Sequence, residues 1–226
     1  MIQDYRFEIK IPIPLNRLEY MLSWLRLSPM GFRQHHPAQH VNSVYFDSYQ
    51  MACFAENLSG ISNRNKMRIR WYHDITNAGK AQLEFKLRRS GKGCKVIYPL
   101  QLNFDDPNIS WSEHIKHCQS QLTLQALSEW DSQTYPILLG RYKRQYLISF
   151  CGRIRATLDS DMEVYDQRYW SKPNTTRSHK MGDYVLLELK CQDQHERLLS
   201  DLVSRCPLNP SRHSKYVNGV RHMIYV

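Results

Sequence analysis

Hydrophobic positions fall along this chain at two spacings, and each spacing predicts an element. Leu18, Met21, Leu22 and Leu25 lie three and four apart, which predicts a helix from Asn16 that Ser28-Pro29 and Gly31 bring to an end. A second helix is expected to start near Ser48, after Asp47, with Met51, Phe54, Ala55 and Leu58 on one face and Gly60 closing it. A third falls within 112–130, where Ile115, Leu122 and Leu127 are only loosely periodic. A fourth covers 194–206 through Leu198, Leu199, Leu202 and Val203, ended by Pro207. Elsewhere apolar residues alternate with polar ones, predicting strands at 5–13, 42–46, 66–73, 81–88, 93–100, 139–150, 153–158, 162–165 and 184–191. The polar stretch 166–183, with Pro173, Asn174 and Gly182, reads as a long mobile loop. Strands with helices interspersed among them suit an antiparallel sheet with packed helices better than a doubly wound parallel sheet.

The polar set of these strands is almost wholly ionic. Arg6, Glu8 and Lys10 share a face opposite Tyr5, Phe7, Ile9 and Ile11, and Arg68 and Arg70 oppose Met67, Ile69 and Trp71. Glu84 and Lys86 oppose Leu83, Phe85 and Leu87; Arg153 and Arg155 oppose Ile154; Glu188 and Lys190 oppose Val185, Leu187 and Leu189. On any one strand such residues are simply the wet face, held by cross-strand ion pairs of ~0.2–1 kcal/mol each. Their recurrence on five strands, with few neutral polar residues among them, predicts something else. A sheet with an apolar, helix-covered outside and an ionic inside closes into an antiparallel β-barrel forming a charged tunnel, with helices packed outside. Arg and Lys outnumber Glu in these positions, so an anion must complete the lumen. Guanidinium groups grip phosphate oxygens bidentately, and lysines add point charge. Carboxylates among the cations make sense with a divalent metal, and hard oxygen ligands favour Mg2+ or Mn2+ shared between carboxylate and phosphate. The combination points to phosphoryl chemistry on a triphosphate or a longer chain.

Composition agrees with this and removes some alternatives. A chain of 226 residues, 42% hydrophobic, has enough apolar side chains for one α+β domain over 1–226. Its net charge of +10 draws in polyanions: nucleic acid, an anionic membrane surface or phosphorylated small molecules. No apolar run approaches the ~20 residues that span a bilayer, and the first residues lack the apolar stretch of a secretory signal. Cysteines 53, 94, 118, 151, 191 and 206 form no Cys-x-x-Cys pair, which suggests reduced thiols in a cytoplasm. Cys94 and Cys151 read as buried small residues, since no histidine close in sequence activates them. Ser90-Gly91-Lys92-Gly93 is a hairpin turn, because a Walker A motif would need Gly at 86 and Ser or Thr at 93. Lys95, just after it, faces the tunnel or solvent with equal weight. His35, His36 and His40 sit in a Pro-containing loop without a clear carboxylate, so a structural or surface role is expected rather than a metal site. The run 141–144 with Tyr142 and Tyr146 would suit stacking on single-stranded nucleic acid, but the tunnel reading of Arg144 is preferred.

Eight short blocks carry a family resemblance: Tyr5-Arg-Phe-Glu-Ile-Lys10, Val44-Tyr-Phe-Asp47, Lys66-Met-Arg-Ile-Arg-Trp-Tyr72, Leu83-Glu-Phe-Lys86, Tyr142-Lys-Arg144, Arg155-Ala-Thr-Leu-Asp159, Leu187-Glu-Leu-Lys190 and Ser214-Lys-Tyr216. In this order they resemble the triphosphate tunnel metalloenzyme superfamily, and more narrowly its VTC branch, the polyphosphate polymerase domain. The resemblance implies that Lys10, Arg68, Arg70, Lys86, Arg144, Arg155 and Lys215 cradle phosphates and carry catalysis. It implies that Glu188 holds the divalent metal, with Glu8 beside it. Lys95, Lys190 and Arg212 join the substrate-binding candidates, Arg212 standing three residues before Lys215. ATP or another nucleoside triphosphate would donate, inorganic polyphosphate would grow, Mn2+ or Mg2+ would be the cofactor, and nucleic acid would not bind. A cytoplasmic domain of this kind leaves room for association with the membrane through a membrane-protein partner. The hydrolytic relatives resemble Glu-x-Glu-x-Lys on the first strand; Arg6 replaces the first glutamate here, which favours the polymerase over the triphosphatases. Hydrolysis of tripolyphosphate or a nucleoside triphosphate is the alternative, followed by a non-catalytic polyphosphate-binding module.

Overall fold

The computed structural model describes residues 6–61, 64–89, 92–130 and 134–224. Tyr5 and the turn residues Ser90 and Gly91 lie outside the described residues, as do the side chains of Arg6 and Cys94. The strands are β1 (Arg6–Pro14), β2 (Phe32–Asp47), β3 (Arg64–Tyr72), β4 (Gly79–Arg89), β5 (Lys92–Leu102), β6 (Tyr135–Ser149), β7 (Ile154–Asp166), β8 (Ser178–Lys180) and β9 (Tyr184–Gln192). The helices are α1 (Leu18–Leu27), α2 (Ala52–Leu58), α3 (Trp111–Gln119), α4 (Leu124–Trp130), α5 (Glu196–Ser204) and α6 (Lys215–Ile224). This is the expected α+β architecture of antiparallel strands with helices packed on them. Among the described residues the hydrogen-bonded ladder ends at β1 and β5 rather than closing. No described helix is long and apolar enough to cross a membrane.

The chain divides into two compact units, and β2, β6 and β7 each run through both. The first unit holds the residues up to Gln39, Tyr142–Met162 and Gly182–Ser214, with strand order β1-β9-β7-β6-β2. Its core is the apolar row of the alternating strands. Ile11, Ile13, Ile154, Leu158, Val185, Leu187 and Leu189 pack with Met21 and Leu25 of α1 and Leu199 and Leu202 of α5. Each such side chain contributes roughly 1.5–3 kcal/mol by leaving water. The partition of β1 and β9 into apolar and ionic faces is therefore fixed by burial, as a one-residue slip would exchange them.

The second unit holds His40–Arg141, Glu163–Met181 and the residues from Lys215 on, with strand order β7-β6-β2-β3-β4-β5 and β8 on β7. Met67, Ile69, Trp71, Leu83 and Phe85 form the buried row of β3 and β4, packed with Trp111 of α3 and Trp130 of α4. A smaller cluster joins Tyr45, Ile137, Leu138 and Val164 to Tyr216, Val217 and Val220 of α6.

Five local features depart from the sequence expectations. The region 112–130 makes two helices, because Ser110 and Glu113 form a capping box that starts α3 and the chain breaks before α4. The stretch around His35 and His36 is strand rather than loop; it stays exposed from Arg33 to Ala38, so no apolar alternation marks it. The strands expected at 153–158 and 162–165 are one, β7, with Asp161 at φ +50° interrupting the alternation. The stretch 166–183 carries its own order. Gln167 and Asn174 are buried and exchange bonds, Gln167 Nε2 to the Asn174 carbonyl at 2.8 Å and Asn174 N to Gln167 Oε1 at 2.9 Å. Finally, Cys151 is exposed in the turn after β6, not buried.

Candidate functional site

In the first unit the β1–β9 register sets Lys10 opposite Glu188 and Glu8 opposite Lys190, and the β7–β9 register sets Arg155 opposite Lys190. The ionic row predicted from alternation thus becomes a connected lattice. Glu188 is buried and accepts from Lys190 Nζ at 2.7 Å and Arg144 Nη2 at 3.4 Å, with Lys10 Nζ at 4.0 Å. Glu8 shares the same lysines, Lys10 at 3.1 Å and Lys190 at 3.9 Å. Arg144 is buried and spends one edge of its fork on Asp159, Nε to Oδ1 at 2.6 Å and Nη2 to Oδ2 at 2.7 Å. Its guanidinium stands 5.2 Å over the Tyr142 ring. Burial works against its charge, but Tyr142, Asp159 and Glu188 outweigh that and hold it firmly protonated. Lys10 also donates to the His213 carbonyl at 2.9 Å, while the Tyr184 hydroxyl meets His213 Nε2 at 2.8 Å and fixes that segment. Arg155 and Arg212 are exposed.

In the second unit Glu84 is the hub. It is buried, and Arg68 Nε reaches its Oε2 at 2.6 Å, Lys95 Nζ its Oε1 at 3.0 Å and Arg70 Nη1 the same oxygen at 3.9 Å. Burial pushes the Glu84 carboxyl up, but Arg68, Arg70 and Lys95 together hold it well below the usual carboxylate range. Arg70 Nε donates to Ser43 Oγ at 3.3 Å and Arg68 Nη1 to the Tyr45 hydroxyl at 3.4 Å, so β2 orients both guanidiniums. Two residue pairs along the ladder, Lys66, Lys86 and Lys95 lie directly opposite one another on β3, β4 and β5. Like charges so placed repel. Lys66 is drawn to Asn57 Oδ1 at 2.8 Å, and Lys95 loses proton affinity through burial, despite Glu84.

Lys215 begins α6 and is half-buried. Its position follows from its neighbour: Tyr216 donates to Asp47 Oδ2 at 2.6 Å, and Asp47 also accepts from the backbone N–H groups of Ser48, Cys53 and Phe54. Asp47 therefore ties the start of α2 to α6. Burial and then Asp47 push the Tyr216 hydroxyl far above the usual range and the Cys53 thiol up to about 12, so neither ionises.

Of the candidates from sequence, the structure gathers Lys10, Glu8, Glu188, Lys190, Arg144 and Arg155 in the first unit. It gathers Arg68, Arg70, Lys86 and Lys95 in the second. Lys95 turns to the charged face, on Glu84. Within the run 141–144 Lys143 is exposed, but Tyr142 is 2% accessible, Arg144 is buried, and half-buried Arg141 donates to Asn42 Oδ1 at 3.1 Å. Sequence reading assigned no role to Glu84 as a hub, to Asp159 or to the Asp47–Tyr216 bond. One signal was available: Asp47, Asp159 and Tyr216 each end a motif block, and Glu84 sits within one. Among the described residues no three or more His, Cys, Asp or Glu side chains form a group that could hold a metal ion by themselves. Glu8 and Glu188, sharing two lysines, offer carboxylate oxygens that fit a hard cation whose remaining ligands are phosphate oxygens and water.

Compared with protein families, residues 5–224 match the VTC domain. No curated protein matches the chain. Two solved structures share its fold over almost their whole length. An adenylate cyclase candidate from Vibrio parahaemolyticus is 12% identical, with 99% of each chain covered and a TM-score of 0.52. An adenylyl cyclase candidate from Hippeastrum, described as having a dominant triphosphatase activity, is 16% identical, with 97% of this chain and 96% of that one covered and a TM-score of 0.54.

Proposed function

The chain belongs to the VTC domain family, and from that premise we propose that it is a metal-dependent phosphotransferase that lengthens inorganic polyphosphate from ATP. One observation carries the proposal: cations crowd the ionic faces of the strands. In the second unit Arg68, Arg70 and Lys95 converge on Glu84, and Lys66 and Lys86 stand in register with Lys95. Partly desolvated positive charge of this density is stabilised by a polyanion, and phosphate matches the fork geometry of the two arginines.

The reaction needs little covalent help from the protein. An oxygen of the chain's terminal phosphate attacks the γ-phosphorus of ATP, a new P–O–P bond forms, and the β–γ bridge breaks with ADP as leaving group. The attacking oxygen is already anionic, so no general base is required; positioning and charge stabilisation supply the rate. Arg68 and Arg70, held by Glu84, Tyr45 and Ser43, are preorganised donors. Lys10, Lys190 and Arg155 bind phosphate in the first unit, and Arg144, fixed by Asp159, offers its remaining Nη1 edge. Lys86, Arg212 and Lys215 add positive charge near bound phosphate. Glu188 and Glu8 would hold a divalent cation, Mg2+ or Mn2+, which when bound neutralises charge on the leaving diphosphate.

The test is incubation of the protein with ATP and Mn2+ or Mg2+, with products resolved on a polyphosphate gel. Chains longer than the input support the polymerase. Free phosphate without chains supports the second reading, a triphosphatase, which the activity described for the Hippeastrum protein favours. Tight polyphosphate binding without turnover would leave a binding module. Arg70→Ala is expected to weaken tripolyphosphate binding by ~1.5–3 kcal/mol, the scale of a charge-assisted hydrogen bond, measured by calorimetry. Unchanged affinity would remove Arg70 from the site.

A further inference from the structure

The exposed first half of β2 carries the histidines that the proposed reaction does not use. His35 and His36 bring their ring centroids to 3.9 Å, and His36 meets the Tyr146 ring edge-on at 5.9 Å. Tyr146 is itself held by Gln39 Nε2 at 2.9 Å and lies two residues along β6 from Arg144. The groups acting on His35 are all cationic: His36 and Arg33 from its own strand and Arg155 from β7. Arg155 is paired on β9 with Lys190, the lysine bonded to Glu188. At ~3.3 Å per residue, that pair lies roughly 7 Å beyond Glu188 along the strand. A row of cations thus leaves Glu188 through Lys190 and Arg155 toward two imidazoles in tilted contact.

We propose that Arg33, His35, His36 and Arg155 form a proton-linked subsite for a linear polyphosphate chain too long to be held at Glu188 alone. The inference rests on the phosphate-binding reading above and deepens it. His36, in ring contact with His35, and the guanidiniums of Arg33 and Arg155 disfavour charge on His35 in the absence of an anion. Burial, His36, Arg155 and Arg33 all lower the proton affinity of His35. A phosphate seated among them reverses this balance, so binding is accompanied by proton uptake. Internal phosphates of a long chain are strong acids whose charge does not change near neutrality, so the pH dependence of their binding reports the protein. The sign follows directly: long-chain affinity rises as pH falls from 7.5 to 5.5, and the subsite loosens its hold as pH rises.

The experiment is calorimetric titration of the full chain with long-chain polyphosphate and, separately, with tripolyphosphate at both pH values, in two buffers of different ionisation enthalpy. Long-chain affinity is expected to increase roughly tenfold toward the lower pH with uptake of about one proton, as linkage of one imidazole requires. Tripolyphosphate should show no such gain. Exchange of His35→Gln with His36→Gln should abolish both the gain and the extra proton while leaving tripolyphosphate affinity and the melting temperature in place. A long-chain affinity that does not change with pH, or one whose pH dependence survives the double exchange, overturns the subsite. Failure of both ligands to bind overturns the phosphate-binding reading beneath it.

Discussion

Replacing Glu188 by Gln is expected to lower phosphoryl transfer on the order of 100-fold at limiting divalent metal, with the fold left in place. The amide preserves shape and hydrogen-bonding capacity but removes the charge that a hard cation needs. The fold survives because Arg144, the buried cation beside Glu188, keeps both bonds to Asp159. Lys190 and Lys10 lose a partner but retain Glu8. The measurement is turnover against metal concentration, with chain products read on a gel and unfolding followed in parallel. Recovery at high metal with a normal melting temperature assigns Glu188 to the cation. Undiminished activity at low metal would remove it from that role and leave it as a structural partner of Arg144.

The same residues show what a sequence discloses and what it withholds. The alternation of Met67, Ile69 and Trp71 with Arg68 and Arg70 discloses a strand and its two faces, because burial of one face decides both. Which strand stands next to which is another matter. That Glu84 collects Arg68, Arg70 and Lys95 depends on the register of β3, β4 and β5, and alternation within one strand carries no register. Asp159 and Arg144 meet for the same reason, fifteen residues apart on two antiparallel strands. The first half of β2 escaped because it buries neither face; its backbone pairing, not its side chains, makes it a strand. Helix α6 went unassigned although Tyr216, Val217 and Val220 are buried at helical spacing. Gly219 interrupts that pattern, and only the packing explains it: a Cβ there would come within 2.7 Å of Leu138 Cδ2. Motif blocks did point to the right residues, yet the bonds joining one block to another, such as Tyr216 to Asp47, are tertiary facts.

Replacing Glu84 by Gln is expected to cost about 3–5 kcal/mol of stability, the penalty for breaking a buried ion pair by removing one partner. Arg68, Arg70 and Lys95 all share this carboxylate, and Arg70 is itself buried, so the exchange removes the negative charge on which the three cations converge. The pH dependence has a definite sign. The folded-state carboxyl lies below its ordinary value of 4.5, where burial is outweighed by Arg68, Arg70 and Lys95. Its contribution is therefore complete above about pH 4.5 and is lost as pH falls further toward the folded-state value. Thermal unfolding of the wild type should weaken steeply in that acid range, and the variant, already lacking the charge, should weaken less. Tripolyphosphate supplies the decisive comparison. If these cations bind phosphate, the ligand replaces the missing negative charge and raises the variant's melting temperature more than the wild type's. Equal stabilisation of both proteins would mean that the phosphate binds elsewhere, and an unchanged melting temperature on exchange would mean that Glu84 does not neutralise the hub.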